Sequence, residues 1–278
     1  MPDTAGVVAG VALVAWAYAR GLSRLWARAG SGRVVRSWQA GCFAAGLASL
    51  LVALATPLEH LAQERLWAHM VQHLTLVAVA APLLVLGNPL SALPWALPDQ
   101  SRRTTLPWGR RLSRHHARPA SWVAWAVAAL AVQSATLWGW HAPRPYQAAL
   151  RSEWVHGLEH ASFLATALVF WWAVIGARRR SLYGPGVLVT FAAALQSSLL
   201  GVLMALSSRP WYPIYAKPAG AGGGLSALED QQVAGVIMWG PGGMLYALAA
   251  VLLFAAWIRR PERPATPRAA VPRSVPSA

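Results

Sequence analysis

Cysteine is all but missing: Cys42 is the only one in 278 residues. A single thiol excludes an internal disulfide and any Cys-x-x-Cys metal or redox motif, so any copper bound here is expected to be held by histidine and methionine. Charge is scarce too, at 12% of residues, and acidic charge scarcest, with nine Asp and Glu against twenty-four Lys and Arg. More than half of the residues are hydrophobic and sixteen are Trp, which excludes a soluble domain of this length and marks a polytopic membrane protein. A phosphate-binding loop is also lacking: GAGGG at 220–224 has no Lys-Ser/Thr after it and reads as a flexible loop.

What the chain does have is long apolar runs. Stretches of roughly 20 apolar residues, enough to cross ~30 Å of hydrocarbon as helix, occur seven times. They lie near 5–24, 38–57, 66–86, 120–139, 154–176, 185–207 and 232–258, which predicts an all-α bundle of seven transmembrane helices. The basic residues orient it. Arg20, Arg24, Arg28, Arg33 and Arg36 follow span one; Arg102, Arg103, Arg110, Arg111, Arg114 and Arg118 follow span three; Arg178, Arg179 and Arg180 follow span five; Arg259, Arg260, Arg263, Arg268 and Arg273 follow span seven. Only Arg65, Arg144, Arg151, Arg209 and Lys217 fall on the other side, so the positive-inside rule puts the N-terminus outside and the C-terminus in the cytoplasm. The net charge of +15 is therefore a topology signal that also suits anionic lipid, and it is not read as nucleic-acid binding.

Asp3 precedes span one and arginines follow it, the reverse of a secretory signal peptide, so span one reads as a retained helix. The tail 259–278, rich in Pro and Arg, reads as a disordered cytoplasmic extension. The basic segment 87–119 reads as lying on the inner surface, with His115 and His116 as solvated loop residues. Tryptophans near span ends, among them Trp38, Trp67, Trp138, Trp140, Trp154, Trp171, Trp172 and Trp257, read as an interface belt. Trp239 reads as core, and Met204 and Met244 as packing residues.

With that orientation the remaining six histidines gather on the outer side. His60 lies between spans two and three, His69 and His73 open span three, His141 follows span four, and His156 and His160 open span five. Residues four apart differ by about 40° around a helix, so each spaced pair presents two imidazoles on one face, with Glu159 on the flank of the second. Polar groups so placed in a span need partners. A lone histidine at a helix end is ordinarily satisfied by water or a carbonyl, which is the reading for His60 and His141. The pairs read as ligands for metal or haem, or else as a hydrogen-bonded network between helices. Met70 and Met238 add thioethers, which with imidazole suit Cu(I) better than Mg or Ca. A rival reading starts from His156-Gly-Leu-Glu159-His160, which matches the inverted zinc-protease motif His-x-x-Glu-His, with Glu229 as the later acid.

Four stretches then carry a family resemblance: AHMVQHLTLVAVAAPLLVLGNPL (68–90), LWGWHAPRPYQAAL (137–150), VHGLEHASFLATALVFWWAVIG (155–176) and DQQVAGVIMWGPGGMLYAL (230–248). In this order they resemble the CtaG-type cytochrome c oxidase assembly proteins, a polytopic bacterial family. The resemblance implies a role in maturing haem-copper oxidase by binding or delivering copper at the outer face of the cytoplasmic membrane, with oxidase subunits or a copper chaperone as partners. The family's motif residues carry over here as His69, His73, His141, His156, His160, Asp230, Gln231, Gln232, Met238, Pro241 and Gly242. Joined to spacing and topology, this gives an expected site at the outer mouths of spans three, five and seven. His73 and His160 are its primary ligands, His69 and His156 further ligands and Met238 a soft axial one. Glu159, Asp230 and His141 surround them and orient the imidazoles or attract the cation. Pro82 is expected to kink span three. Pro241-Gly242-Gly243 is expected to bend span seven or to admit a close neighbour.

Three function classes stay open on the sequence. The first is a non-enzymatic copper-handling assembly factor. The second is an outer-facing membrane zinc hydrolase, and the third a haem-binding or structural membrane partner.

Overall fold

A computed structural model of the chain describes residues 4–102, 119–176, 182–215 and 224–259. His115 and His116, the arginine run at 178–180, most of the GAGGG loop and the tail beyond 259 lie outside them. Every regular element among the described residues is helical, and seven helices are long and apolar enough to cross a membrane: Thr4–Ala29, Ser37–Leu54, Leu66–Ala96, Ser121–His141, Glu153–Ile175, Tyr183–Leu206 and Ala227–Arg259. The chain is a multi-pass helical membrane bundle. Three buried cores hold it together. One packs spans three to seven around Trp122, Phe170, Trp171 and Tyr246. A second joins the first two spans to the third around Tyr18, Phe43 and Leu84, and a third closes the end where spans three and seven begin.

Several ends differ from the expected ones, each for a local reason. The first span runs past 24 to Ala29 because its arginines are accommodated: Arg24 donates to the Trp95 and Ala96 carbonyls, and Arg20 and Arg28 lie over the rings of Trp16 and Trp95. The seventh span starts at Ala227, five residues earlier than expected. Ser226 accepts from the Glu229 amide while Glu229 accepts from the Ser226 amide, a reciprocal cap that places Asp230 inside the helix. Connections between the spans hold short helices, Pro57–Glu64 and Pro143–Arg151, and a 3-10 turn, Pro213–Tyr215. All three lie at one end of the bundle, because the spans alternate in direction.

The third and seventh spans each contain a π-helical turn, Thr75–Ala80 just before Pro82 and Met238–Gly242 around Pro241. Proline has no N–H and crowds the preceding turn, and widening that turn relieves the conflict without breaking the helix. Trp171 donates its indole N–H to the Val77 carbonyl of the first π turn at 2.8 Å. It is buried in the core and so does not belong to the interface belt. Trp239, expected in the core, is 53% exposed, since the turn that points Met238 inward swings its neighbour out. Met204 is buried as a packing residue, whereas Met244 faces outward. The closest approach of spans six and seven lies nearly two turns before the Pro-Gly-Gly stretch: a Cβ on Gly201 would sit 2.7 Å from the Gly235 carbonyl oxygen.

Candidate metal centre

Two helix starts set the geometry. The third span begins at Leu66 behind Arg65, whose side chain does not cap it. The cap comes from another helix: Asp230 of the seventh span accepts from the Leu66 amide at 2.8 Å and the Trp67 amide at 3.0 Å. A carboxylate at a helix N-terminus satisfies orphan amides and opposes the positive end of the dipole. Asp230 is thus placed as the clamp that fixes His69 and His73 relative to the seventh span. Gln231 and Gln232 extend the clasp. The Gln231 side chain accepts from the Trp211 amide at 2.6 Å and donates to the Met204 and Arg209 carbonyls, and Gln232 donates to the Ser207 carbonyl.

Within this frame His69, His73, Glu159 and His160 converge: one donor atom from each lies within 4.8 Å of the others, and all four residues are buried. His69 Nε2 and His73 Nε2 are 2.8 Å apart. The Glu159 oxygens stand 3.6 Å from His69 Nε2 and 3.7 Å from His73 Nε2. Glu159, expected on the flank, is therefore among the converging donors. His156 sits beside them, its ring centroid 4.2 Å from that of His160, but its Nδ1 is aimed at Glu59 Oε1, 3.5 Å away. His141, the last residue of the fourth span, donates from Nδ1 to the Leu137 carbonyl at 2.7 Å and turns Nε2 toward Met70 Sδ at 3.3 Å. Met238 is buried and lines a small cavity with Met70, His73 and His141. His60 lies apart, exposed beside Glu64.

Sequence reasoning missed the cover over these groups. Glu59, in the short helix 57–64, accepts a short hydrogen bond from Gln72, which also donates to the Ala53 carbonyl. Burial pushes the Glu59 carboxyl above the usual carboxylate range. Tyr215 donates to the Ala62 carbonyl at 3.1 Å, meets Tyr146 at 3.0 Å and lies 3.4 Å from His69 Nδ1. Tyr212 donates to the His141 carbonyl at 2.6 Å and stacks on Tyr146. Burial raises all three phenols above their ordinary value, so they remain neutral. One signal for Glu59 was available: with so few acids in the chain, an acid between two apolar spans stands out.

The cluster is short of internal partners. Among the described residues, buried side-chain atoms without a hydrogen-bond partner include both Glu159 oxygens, His73 Nδ1, His156 Nε2, His160 Nε2, Glu59 Oε1 and Gln72 Oε1. Buried polar atoms are ordinarily satisfied by protein, water or an ion, so such a concentration marks a candidate ligand site. Four donors bound at about 2.0–2.2 Å to a tetrahedral ion stand roughly 3.3–3.6 Å apart, within reach of these side chains by small rotations. Imidazole with carboxylate suits zinc, copper, iron or nickel, and the adjoining thioethers favour copper.

Residues 16–260 match the model of a family described as the cytochrome c oxidase caa3 assembly factor. Two curated relatives, uncharacterised proteins of Mycobacterium bovis and Mycobacterium tuberculosis, are each 26% identical over 271 residues, or 93% of this chain. The chain spans only 39% of the length of either. No solved structure matches it. A match running from within the first span to the end of the seventh covers every element that builds the cluster, and the chain belongs to the family of cytochrome c oxidase caa3 assembly factors.

Proposed function

We propose that this assembly factor handles copper for the oxidase, holding the ion between His69, His73, His160 and Glu159 at the outer mouth of the bundle. The observation that carries the reading is the convergence of these four donors, buried and largely without internal partners. Membership of the family supports cytochrome c oxidase as the client, and the arginine asymmetry supports the outer face of a bacterial cytoplasmic membrane as the side. Oxidase subunits or a copper chaperone are the corresponding partners. Glu59 faces His156, which packs against His160, so the two border the ion and hold the His160 ring in place, and Met238 offers a soft donor nearby.

The alternatives fit these positions less well. In a zinc hydrolase of the inverted motif, His156 and His160 bind the ion with a later acid while Glu159 activates water. Here His156 points at Glu59, Glu159 faces the imidazoles of the third span, and Glu229 caps its own helix. A haem needs a slot between two axial rings, whereas the rings of His69, His73, His156 and His160 pack at centroid separations of 4.2 to 5.9 Å. The test is an anaerobic Cu(I) competition titration of the detergent-purified chain beside the His73→Ala/His160→Ala variant. Binding that is lost in the variant supports the reading. A folded wild-type protein that binds no copper overturns it.

A further inference from the structure

We infer that Met70, His141 and Met238 form a second, soft cation site beside the imidazole and carboxylate centre, and that it takes Cu(I). The inference rests on the copper reading above and adds to it a second binding position with different donors.

One proton sets the state of the His141 ring. His141 Nδ1 is 2.7 Å from the Leu137 carbonyl, which can only accept, so Nδ1 carries hydrogen. In the neutral ring Nε2 is then a bare lone pair. It faces Met70 Sδ at 3.3 Å, and a thioether has no proton to give. Two acceptors thus confront each other where both residues are buried. A charged ring would resolve this by donating to sulfur, but no ion pair joins His141 to a carboxylate among the described residues, and an unpaired buried cation is costly. A monovalent soft cation between nitrogen and sulfur resolves it, because thioether and imidazole are the donors such an ion prefers.

The surroundings supply space and a third donor. Met70, His141 and Met238 line one cavity with about 40 Å³ of room for water-sized occupants, more than the ~10–15 Å³ that holds a water. Tyr212 grips the His141 carbonyl and so fixes the helix end that carries the ring. His73 lines the same cavity, its ring centroid 5.9 Å from that of His141. His73 therefore borders both positions, and an ion leaving the first centre enters the soft one past this ring. The first centre, with its carboxylate, suits a divalent ion as well as Cu(I), while the second discriminates in favour of Cu(I).

X-ray absorption at the copper edge tests this on the full chain in detergent, loaded anaerobically with Cu(I). The expected result is a sulfur shell around copper that becomes a selenium shell when the methionines are replaced by selenomethionine. Met70→Leu and Met238→Leu, which nearly conserve volume, are expected to remove that shell and one bound equivalent. His160→Ala is expected to remove the other equivalent and to leave the sulfur shell in place. Copper surrounded by nitrogen and oxygen alone, or a sulfur shell unchanged in both leucine variants, overturns the second site while leaving the first standing. A folded wild-type chain that binds no copper overturns both.

Discussion

Single residues here act by what another helix brings to them. Asp230 was expected to orient an imidazole or attract the cation, and it caps the third span, four spans away in sequence. Asp230→Ala should cost about 1–2 kcal/mol of stability through the lost cap and should loosen the His69–His73 pair, whereas Asp230→Asn should retain part of both. Thermal unfolding in detergent and copper affinity measured on the same samples check this. Glu159 gives a sharper discrimination. As a donor in the converging group, its replacement by Gln should weaken copper binding by at least about tenfold. A hydrolytic base would leave metal content unchanged and abolish an activity. The pairs at 69/73 and 156/160 were legible because helical spacing alone puts each on one face. The role of Glu159 was not, because its offset from His160 says only that it lies on the flank, and the third span decides whether that flank is inside.

Helices meet at positions where side chains are missing. A Cβ on Gly235 would fall 2.5 Å from Gly201 O and Ala205 N, so spans six and seven are in backbone contact, while Gly139 has nothing within 4 Å of its added Cβ. Gly201→Val should therefore destabilise the bundle by about 1–3 kcal/mol or prevent its assembly. Gly139→Ala should be neutral or stabilising by up to about 1 kcal/mol, as Ala replaces Gly within a helix. Melting midpoints of the two variants in one detergent separate these outcomes. The prolines were readable as disturbances in spans three and seven, but a proline does not announce whether a helix answers by kinking or by a π turn. The start of span seven was readable in full: Ser226-Ala-Leu-Glu229 is a capping box, and hydropathy alone passed over it because the first turn is polar.

At the scale of the molecule, the bundle is closed at one end by the short helices 57–64 and 143–151 and by the tyrosines that bond across them. Under the proposed orientation this end faces outward. In a Cys42→Ala background, an impermeant maleimide should label Ser208→Cys on intact cells and Ser31→Cys only after the membrane is opened. The reverse pattern would invert the bundle and move the proposed copper centre to the cytoplasmic side. Both positions are exposed in short connections at opposite ends of their spans.

The sequence by itself determined the number of spans, the helical class, the clustering of histidines at one end and the family resemblance. Each of these depends on composition, periodicity or local order along the chain. Only the tertiary structure decided that Glu159 joins the imidazoles while His156 turns to Glu59, that Asp230 is a clamp, and that His141 confronts a thioether. Those outcomes depend on how far helices distant in sequence are rotated and shifted against one another. That rotation is set by glycine contacts, π turns and caps acting together, so no single helix carries it.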